Sequence, residues 1–242
     1  MTLKIGIPAY SMNDSLGVHK DYIIFAMNYG IPIILSPYEK PRTDLDLLIL
    51  PGGADMNPSL YNEAPHPYTQ NTDVFKHYFY THHLDTYINQ RTPIFGICLG
   101  FQMLCAKFGA KIIQHKALRC SKPYDPFSPL NRDCNEFFVD TIIYKTKDFT
   151  KPVPNYSNTW SYDADNSQSH NIAKIDVNSY HHQCVLSLDN TPLIAVAKEC
   201  YEDIIEAMVH TTLPIAGVQF HPERACNIGL VKNLIHFITN RK

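Results

Sequence analysis

No apolar run in this chain of 242 residues is long enough to cross a bilayer as a helix. The opening MTLKIGIPAY has no basic segment followed by an apolar core, and it enters a strand-like pattern at once, so no secretory leader is expected. Charge of neither sign dominates: 21 Lys and Arg stand against 23 Asp and Glu, a net charge of -2, which announces no surface for a nucleic acid polymer. The 7 cysteines are odd in number and scattered, with no CxxC pair and no Cys/His spacing suited to a metal. That argues against a disulfide framework and for a reducing compartment. Internal repeats and low-complexity tracts are missing. What remains is an ordinary globular composition, 45% hydrophobic, expected in the cytoplasm without membrane attachment. The length suits one α/β domain over residues 1–242.

Strands and helices alternate along the first half. Leu3 to Pro8, Ile31 to Leu35 and Asp46 to Leu50 are strand-like, the last a continuous apolar run of the kind buried on both faces of a parallel sheet. Helical spacing covers Asp21 to Tyr29 and Asp73 to Asn89. The pattern predicts a doubly wound, flavodoxin-like, mostly parallel sheet flanked by helices. Ligands bind such sheets beyond the carboxyl ends of the strands. After Gly109 the pattern changes. Lys111 to Gln114, Glu136 to Tyr144, Ile175 to Val177, Leu193 to Lys198, Ile204 to Val209 and Pro214 to Phe220 are strand-like, and Leu230 to Thr239 is a closing helix. Between them, residues 151–171 are polar, with Pro152, Pro154, Tyr156, Tyr162 and the single tryptophan, Trp160; this segment is expected to be a surface insertion.

The central strand, Ile94 to Ile97, runs into Cys98, and a helix stopped by Gly109 follows. Glycines 96 and 100 flank the cysteine, as a tight strand-to-helix turn requires. There the thiol stands at a helix N-terminus, whose free N–H groups favour a thiolate. Gln102 lies one helical turn on, on the same face. A cysteine at such a junction is more often a small buried hydrophobe. A base elsewhere in the chain changes that balance. The last strand ends in His221-Pro222-Glu223, where residues two apart in extended chain point the same way. Glu223 is then placed to orient His221, and His221 to serve a thiol. Alone, such a tripeptide is more often a polar loop.

Three motifs in this order, PGG at 51–53, GICLGFQ at 96–102 and GVQFHPE at 217–223, resemble the class I glutamine amidotransferases over nearly the whole chain. PGGADMNPSLY from Pro51, VNSYHHQ from Val177 and Glu206-Ala207 are similar to the branch of free-standing γ-glutamyl hydrolases, peptidase C26-like, that includes the γ-glutamyl-γ-aminobutyrate hydrolases. The resemblance implies a fold with a nucleophile elbow. It implies Cys98 as the nucleophile that forms a γ-glutamyl thioester, His221 as base and acid, and Glu223 as its orienter. The N–H groups of Gly53 and Leu99 would form the oxyanion hole. Gly52, Gln102, His181 and His182 would lie against the glutamyl group; a structural role for the two histidines stays open. No cofactor and no metal are implied. Leu99 stands where the branch commonly has Arg, Gly109-Ala110 and Gln114-His115 replace a common Gly-Gly and Gln-Asp, and the histidine usual near Asn135 is missing.

The function implied is hydrolysis of a γ-glutamyl amide in a small molecule, with release of glutamate. Its leaving group stays open between an amine and a nucleotide phosphoramidate, the substrate class of the γ-glutamyl-CDP-amidate hydrolases of capsule synthesis. Trp160, with Tyr156 and Tyr162, would stack on a nucleotide base or else anchor the loop on the core. Three rivals share the motifs: a glutaminase subunit that passes ammonia to a separate synthase, a peptidase of folyl-polyglutamate type, and a non-catalytic binding protein. A homodimer is an assembly left open.

Overall fold

The computed structural model describes residues 2–115, 138–145, 149–150, 172–200, 204–224 and 229–241. The expected insertion at 151–171, with Trp160, lies outside them. The elements run β1 (Leu3–Pro8), β2 (Tyr10–Met12), β3 (Ser15–Gly17), α1 (Lys20–Met27), β4 (Gly30–Leu35), β5 (Leu47–Leu50), α2 (Val74–His82), α3 (Leu84–Asn89), β6 (Ile94–Ile97) and α4 (Leu99–Lys107). Then come β7 (Lys111–Ile113), β8 (Phe138–Lys145), β9 (Ile172–Ser179), β10 (Cys184–Ser187), β11 (Leu193–Glu199), β12 (Ile205–His210), β13 (Ile215–Val218) and α5 (Gly229–Thr239). Among the described residues no helix is long and apolar enough to cross a membrane.

Five parallel strands form the centre of the sheet, in the order β4-β1-β5-β6-β13. Numbered by chain order within that set, this is 2-1-3-4-5, the flavodoxin-like winding. Beyond β13 the sheet continues antiparallel through β12, β11, β8 and β9, and β10 joins β12 to β7. After α4 the chain therefore mostly extends the sheet with antiparallel strands, and only β13 returns to its parallel centre.

The central strands are buried on both faces, and alternation along them feeds two cores. Leu47, Ile49, Phe95 and Ile97 meet α1 and α5 through Tyr22, Phe25, Leu234 and Ile238. Leu48, Leu50 and Ile94 meet α2, α3 and α4 through Phe79, Tyr87, Phe101 and Leu104. Asp73 caps α2, its side chain accepting from the Phe75 and Lys76 N–H groups. The helix expected from Asp73 to Asn89 is broken at His83, whose φ of -116° leaves the helical range and whose ring packs against Tyr78 and Phe79. Gly109 ends α4 in the left-handed region, at φ 85°. Two elements carried no sequence signal that stood out: the β2–β3 hairpin and the four-residue β10.

Helix α4 lies so close over β5 that a Cβ on Gly100 would stand 2.2 Å from the Leu50 carbonyl oxygen. Alanine ordinarily gains about 1 kcal/mol over glycine inside a helix. Here the obstacle is backbone, so Gly100→Ala is expected to destabilise the protein by about 1–3 kcal/mol instead. Urea denaturation would measure it, and a stabilised variant would contradict this packing.

Candidate functional site

The register between β6 and β13 sets the site. Ile97 pairs with Val218, and the Cys98 N–H continues the ladder by donating to the Val218 carbonyl at 2.9 Å. At that residue the chain turns, with φ 49° and ψ -106°. A non-glycine residue held there is strained, typically by about 1–3 kcal/mol, and such strain collects at functional positions. The turn also needs glycine beside it: a Cβ on Gly96 would come 2.7 Å from the Gly100 carbonyl carbon.

Past Val218 the neighbouring strand delivers His221. Its main chain is gripped twice by Asn178 of β9: Asn178 Nδ2 donates to the His221 carbonyl at 2.9 Å, and the His221 N–H donates to Asn178 Oδ1 at 2.8 Å. His221 Nδ1 lies 2.7 Å from Glu223 Oε1. The pair does not meet along an extended strand, as the sequence spacing suggested. A 3-10 turn at Pro222–Arg224 folds Glu223 back under the ring. Both side chains are buried, 9% and 1% exposed. His221 Nε2 is buried, and Cys98 acts on the ring both by charge and as a hydrogen-bond partner. Burial disfavours the imidazolium, but the Glu223 carboxylate and the Cys98 sulfur more than offset it, so the pKa of His221 is raised above its ordinary 6.5.

The Pro51-Gly52-Gly53 turn closes the third side. A Cβ on Gly52 would lie 2.9 Å from His221 Cε1 and 3.2 Å from Cys98 Cβ, so only glycine lets the three meet. The Gly52 N–H donates to the Tyr22 hydroxyl at 3.0 Å, and the Lys76 ammonium donates to the Gly52 carbonyl. Both polar groups of Gly52 are thus held within the protein. Leu99 buries its side chain in the core and offers only its N–H, at the start of α4. Among the described residues no cluster of three or more His, Cys, Asp or Glu is arranged to hold a metal ion.

This arrangement of elbow cysteine, histidine, carboxylate and glycine turn agrees with the comparisons. A family model described as Peptidase C26 matches residues 9–223. The chain belongs to the peptidase C26 family. Among curated proteins this C26 chain is similar to Protein NtpR of Enterococcus hirae, 27% identical over 207 residues that cover 80% of this chain and 75% of that protein. It is also similar to the glutamine amidotransferase-like protein RP404 of Rickettsia prowazekii, 29% identical over 229 residues, 83% of this chain and 80% of that protein. The solved structure of PurLQS from Thermotoga maritima aligns with a TM-score of 0.59 at 17% identity, over 99% of each chain. At that identity the likeness concerns the fold.

Other residues packed around Cys98 and His221 were not evident from the sequence. Gln219 donates from Nε2 to Cys98 Sγ at 3.7 Å. Its Oε1 receives Gln102 Nε2 at 3.1 Å, and the same Gln102 nitrogen reaches the Gln183 carbonyl at 2.8 Å. Gln102, expected near the glutamyl group, is thus fixed by two neighbours beside the sulfur. Gln183 also accepts from the Met56 N–H at 2.7 Å, tying the β9–β10 turn to the loop after Gly53. Tyr22, Asn178 and Lys76 complete the set. Lys76 did leave a trace: it sits three and four residues before Phe79 and Tyr80 on the buried face of α2, where a charge is out of place.

His181 and His182 part company. His182 stays partly exposed and lies 2.8 Å from Asp55. The His181 side chain is 3% exposed; its Nδ1 meets the Gln183 carbonyl at 3.0 Å, and its Nε2 is 3.7 Å from Glu206 Oε1. That last distance is too long for a strong charge-assisted hydrogen bond. Burial therefore prevails and lowers the His181 pKa to about 4 from its ordinary 6.5, with the charges of His221 and His182 adding to it and the Gln183 carbonyl opposing. Between those values the unfolded chain takes up a proton that the folded chain refuses. Stability is thus complete above pH 6.5 and falls as the pH drops toward 4. His221, raised rather than lowered, works in the opposite sense, with stability lost only as pH rises toward its folded pKa. Urea denaturation at pH 7.5 and 4.5 should show a smaller loss for His181→Gln than for the parent chain, by on the order of 2 kcal/mol. Equal losses would show that His181 is not the group refusing the proton.

Proposed function

We propose that this C26 protein hydrolyses the γ-glutamyl amide bond of a small molecule through a thioester on Cys98 and releases L-glutamate. The observation that carries the reading is the meeting of the strained elbow cysteine with the buried His221–Glu223 pair and the glycine turn. His221, made more basic by Glu223, takes the Cys98 proton as Sγ attacks the γ-carbonyl. Charge on the carbonyl oxygen is received by the N–H groups of Gly53 and Leu99. His221 then passes its proton to the departing nitrogen, leaving the acyl group on Sγ. Water, deprotonated by His221, cleaves the thioester, and the thiol is restored. Match to the peptidase family over residues 9–223 supports hydrolysis as the net reaction.

The name of the Rickettsia relative keeps a second reading in view, a glutaminase that hands ammonia to a separate synthase. The leaving group is proposed to be an amine or a nucleotide phosphoramidate. A flat one is favoured by the ring-rich rim beyond Gly53: Tyr68 and His115 lie 4.3 Å apart, His66 stacks on His115 at 5.5 Å, and His182 holds Asp55. Glutamate release from a panel of γ-glutamyl amines, γ-glutamyl nucleotide phosphoramidates and glutamine is the deciding experiment. A clear preference for glutamine, rising with an added synthase, would overturn the hydrolase reading.

Cys98→Ala is expected to lose turnover by several orders of magnitude while keeping its fold by circular dichroism, because the two-step route disappears. Glu223→Ala should retain more activity than His221→Ala, since a carboxylate that orients a base contributes less than the base. Retained activity in purified Cys98→Ala would sink the mechanism.

A further inference from the structure

We propose that Lys76 is a positioning residue that charges the oxyanion hole through the Gly52–Gly53 peptide. The inference rests on the Cys98 mechanism above. The carbonyl of Gly52 and the N–H of Gly53 are the two ends of one planar, conjugated peptide unit. A cation at the oxygen draws electron density along that unit and leaves the N–H a stronger donor. Hydrogen bonds linked in this way reinforce one another by roughly 10–30% per bond. The ammonium donates to the Gly52 oxygen, and Tyr22 holds the N–H of the same residue at 3.0 Å. With Gly52 fixed at both ends, the next donor in the turn is Gly53 N–H, for which no acceptor exists among the described residues.

Lys76 has no evident structural reason to be charged. Its side chain is buried between the Tyr10 ring, 3.8 Å from Nζ, and the face of Gly53. Among the described residues no carboxylate comes within ion-pair distance. Asp73 is engaged elsewhere: Oδ1 accepts from the Phe75 and Lys76 N–H groups and Oδ2 from the Ser11 N–H. A buried cation without an anion is costly. The missing negative charge is the one that forms on the substrate oxygen during acyl transfer, where Gly53 N–H would meet it. Preorganised charge of this kind acts in the transition state and hardly at all on the bound substrate.

The titratable groups packed around this lysine are Tyr10 from β2, Tyr22 from α1, Cys98 at the start of α4, and Asp73 and Tyr80 on its own helix. Burial lowers the Lys76 pKa to about 8, with Asp73 and Cys98 pulling upward. Tyr10 and Tyr22 are raised by burial, so they stay neutral through that range. The ammonium is therefore lost as pH passes about 8, and the polarisation with it.

The test compares Lys76→Met and Lys76→Arg with the parent enzyme. The readouts are kcat, KM and pH profile on γ-glutamyl p-nitroanilide, together with the rate of Cys98 alkylation by iodoacetamide. Alkylation forms no oxyanion. In Lys76→Met, kcat is expected to fall about tenfold with KM nearly unchanged, while the limiting alkylation rate, read on the plateau of its pH profile where the thiol is fully ionised, stays within about twofold. The alkaline fall near pH 8 should vanish in Lys76→Met. In Lys76→Arg it should move upward with partial recovery of kcat, because a guanidinium keeps its proton. An unchanged kcat, or a rise in KM alone as for a lysine that grips an anionic part of the substrate, would overturn the inference. So would an equal fall in alkylation, which marks general damage to the site. No turnover by the parent enzyme on any γ-glutamyl compound would instead reject the hydrolase reading on which the inference stands.

Discussion

The pairing of β6 with β13 is the constraint on which the site depends. Two parallel strands in register, Gly96 beside Gly217 and Ile97 beside Val218, end at the same level; Cys98 follows the first directly, and His221 comes just past the second, after Gln219 and Phe220. Their separation in sequence is bridged by main-chain hydrogen bonds, the least adjustable contacts in the molecule. The glycines are part of the same constraint. A Cβ on Gly217 would approach the Gly96 carbonyl to 2.9 Å and a Cβ on Gly96 would strike the start of α4, so the sheet and helix close only on bare backbone. A slip of one residue would send the cysteine to the wrong face and the histidine out of reach.

Around this junction the protein buries ionisable groups and sets them against one another. His221 is drawn toward its charged form by Glu223, whereas His181 is driven toward its neutral form by burial. Lys76 lies on the other side of the glycine turn, lowered by burial but held up in part by Asp73 and Cys98. Groups with such different protonation habits lie within one small volume. That is the condition under which proton transfer near neutral pH becomes selective about direction.

Much of the parallel half was legible in the sequence because its signals are local. Apolar runs at Leu47 to Leu50, Ile94 to Ile97 and Ile215 to Val218, punctuated by glycine and proline, announce strands that end in turns, and the PGG, GICLGFQ and GVQFHPE motifs fall at those ends. The antiparallel half was legible only as a series of strand-like runs, since partner choice among β8 to β12 is set by long-range pairing. The residues that support the motifs were hidden for a different reason. Asn178 and Gln183 act through backbone groups of residues 43 and 127 positions away, respectively His221 and Met56. No periodicity encodes such contacts. Glu223 was assigned to His221 on strand geometry, yet it is a turn at Pro222 that brings them together.

The grip of Asn178 on residue 221 is made entirely through main-chain atoms, with no bond to the imidazole. Shape and reactivity are therefore encoded at different positions. Residue 178 secures the loop, and residue 221 supplies the ring. An exchange of the ring for another side chain would silence the proposed chemistry yet leave the glycine turn and the strand ends standing. Such a descendant would inherit the proposed recognition site without its reaction. The boundary between an enzyme and a sensor on this scaffold is thus a single codon wide.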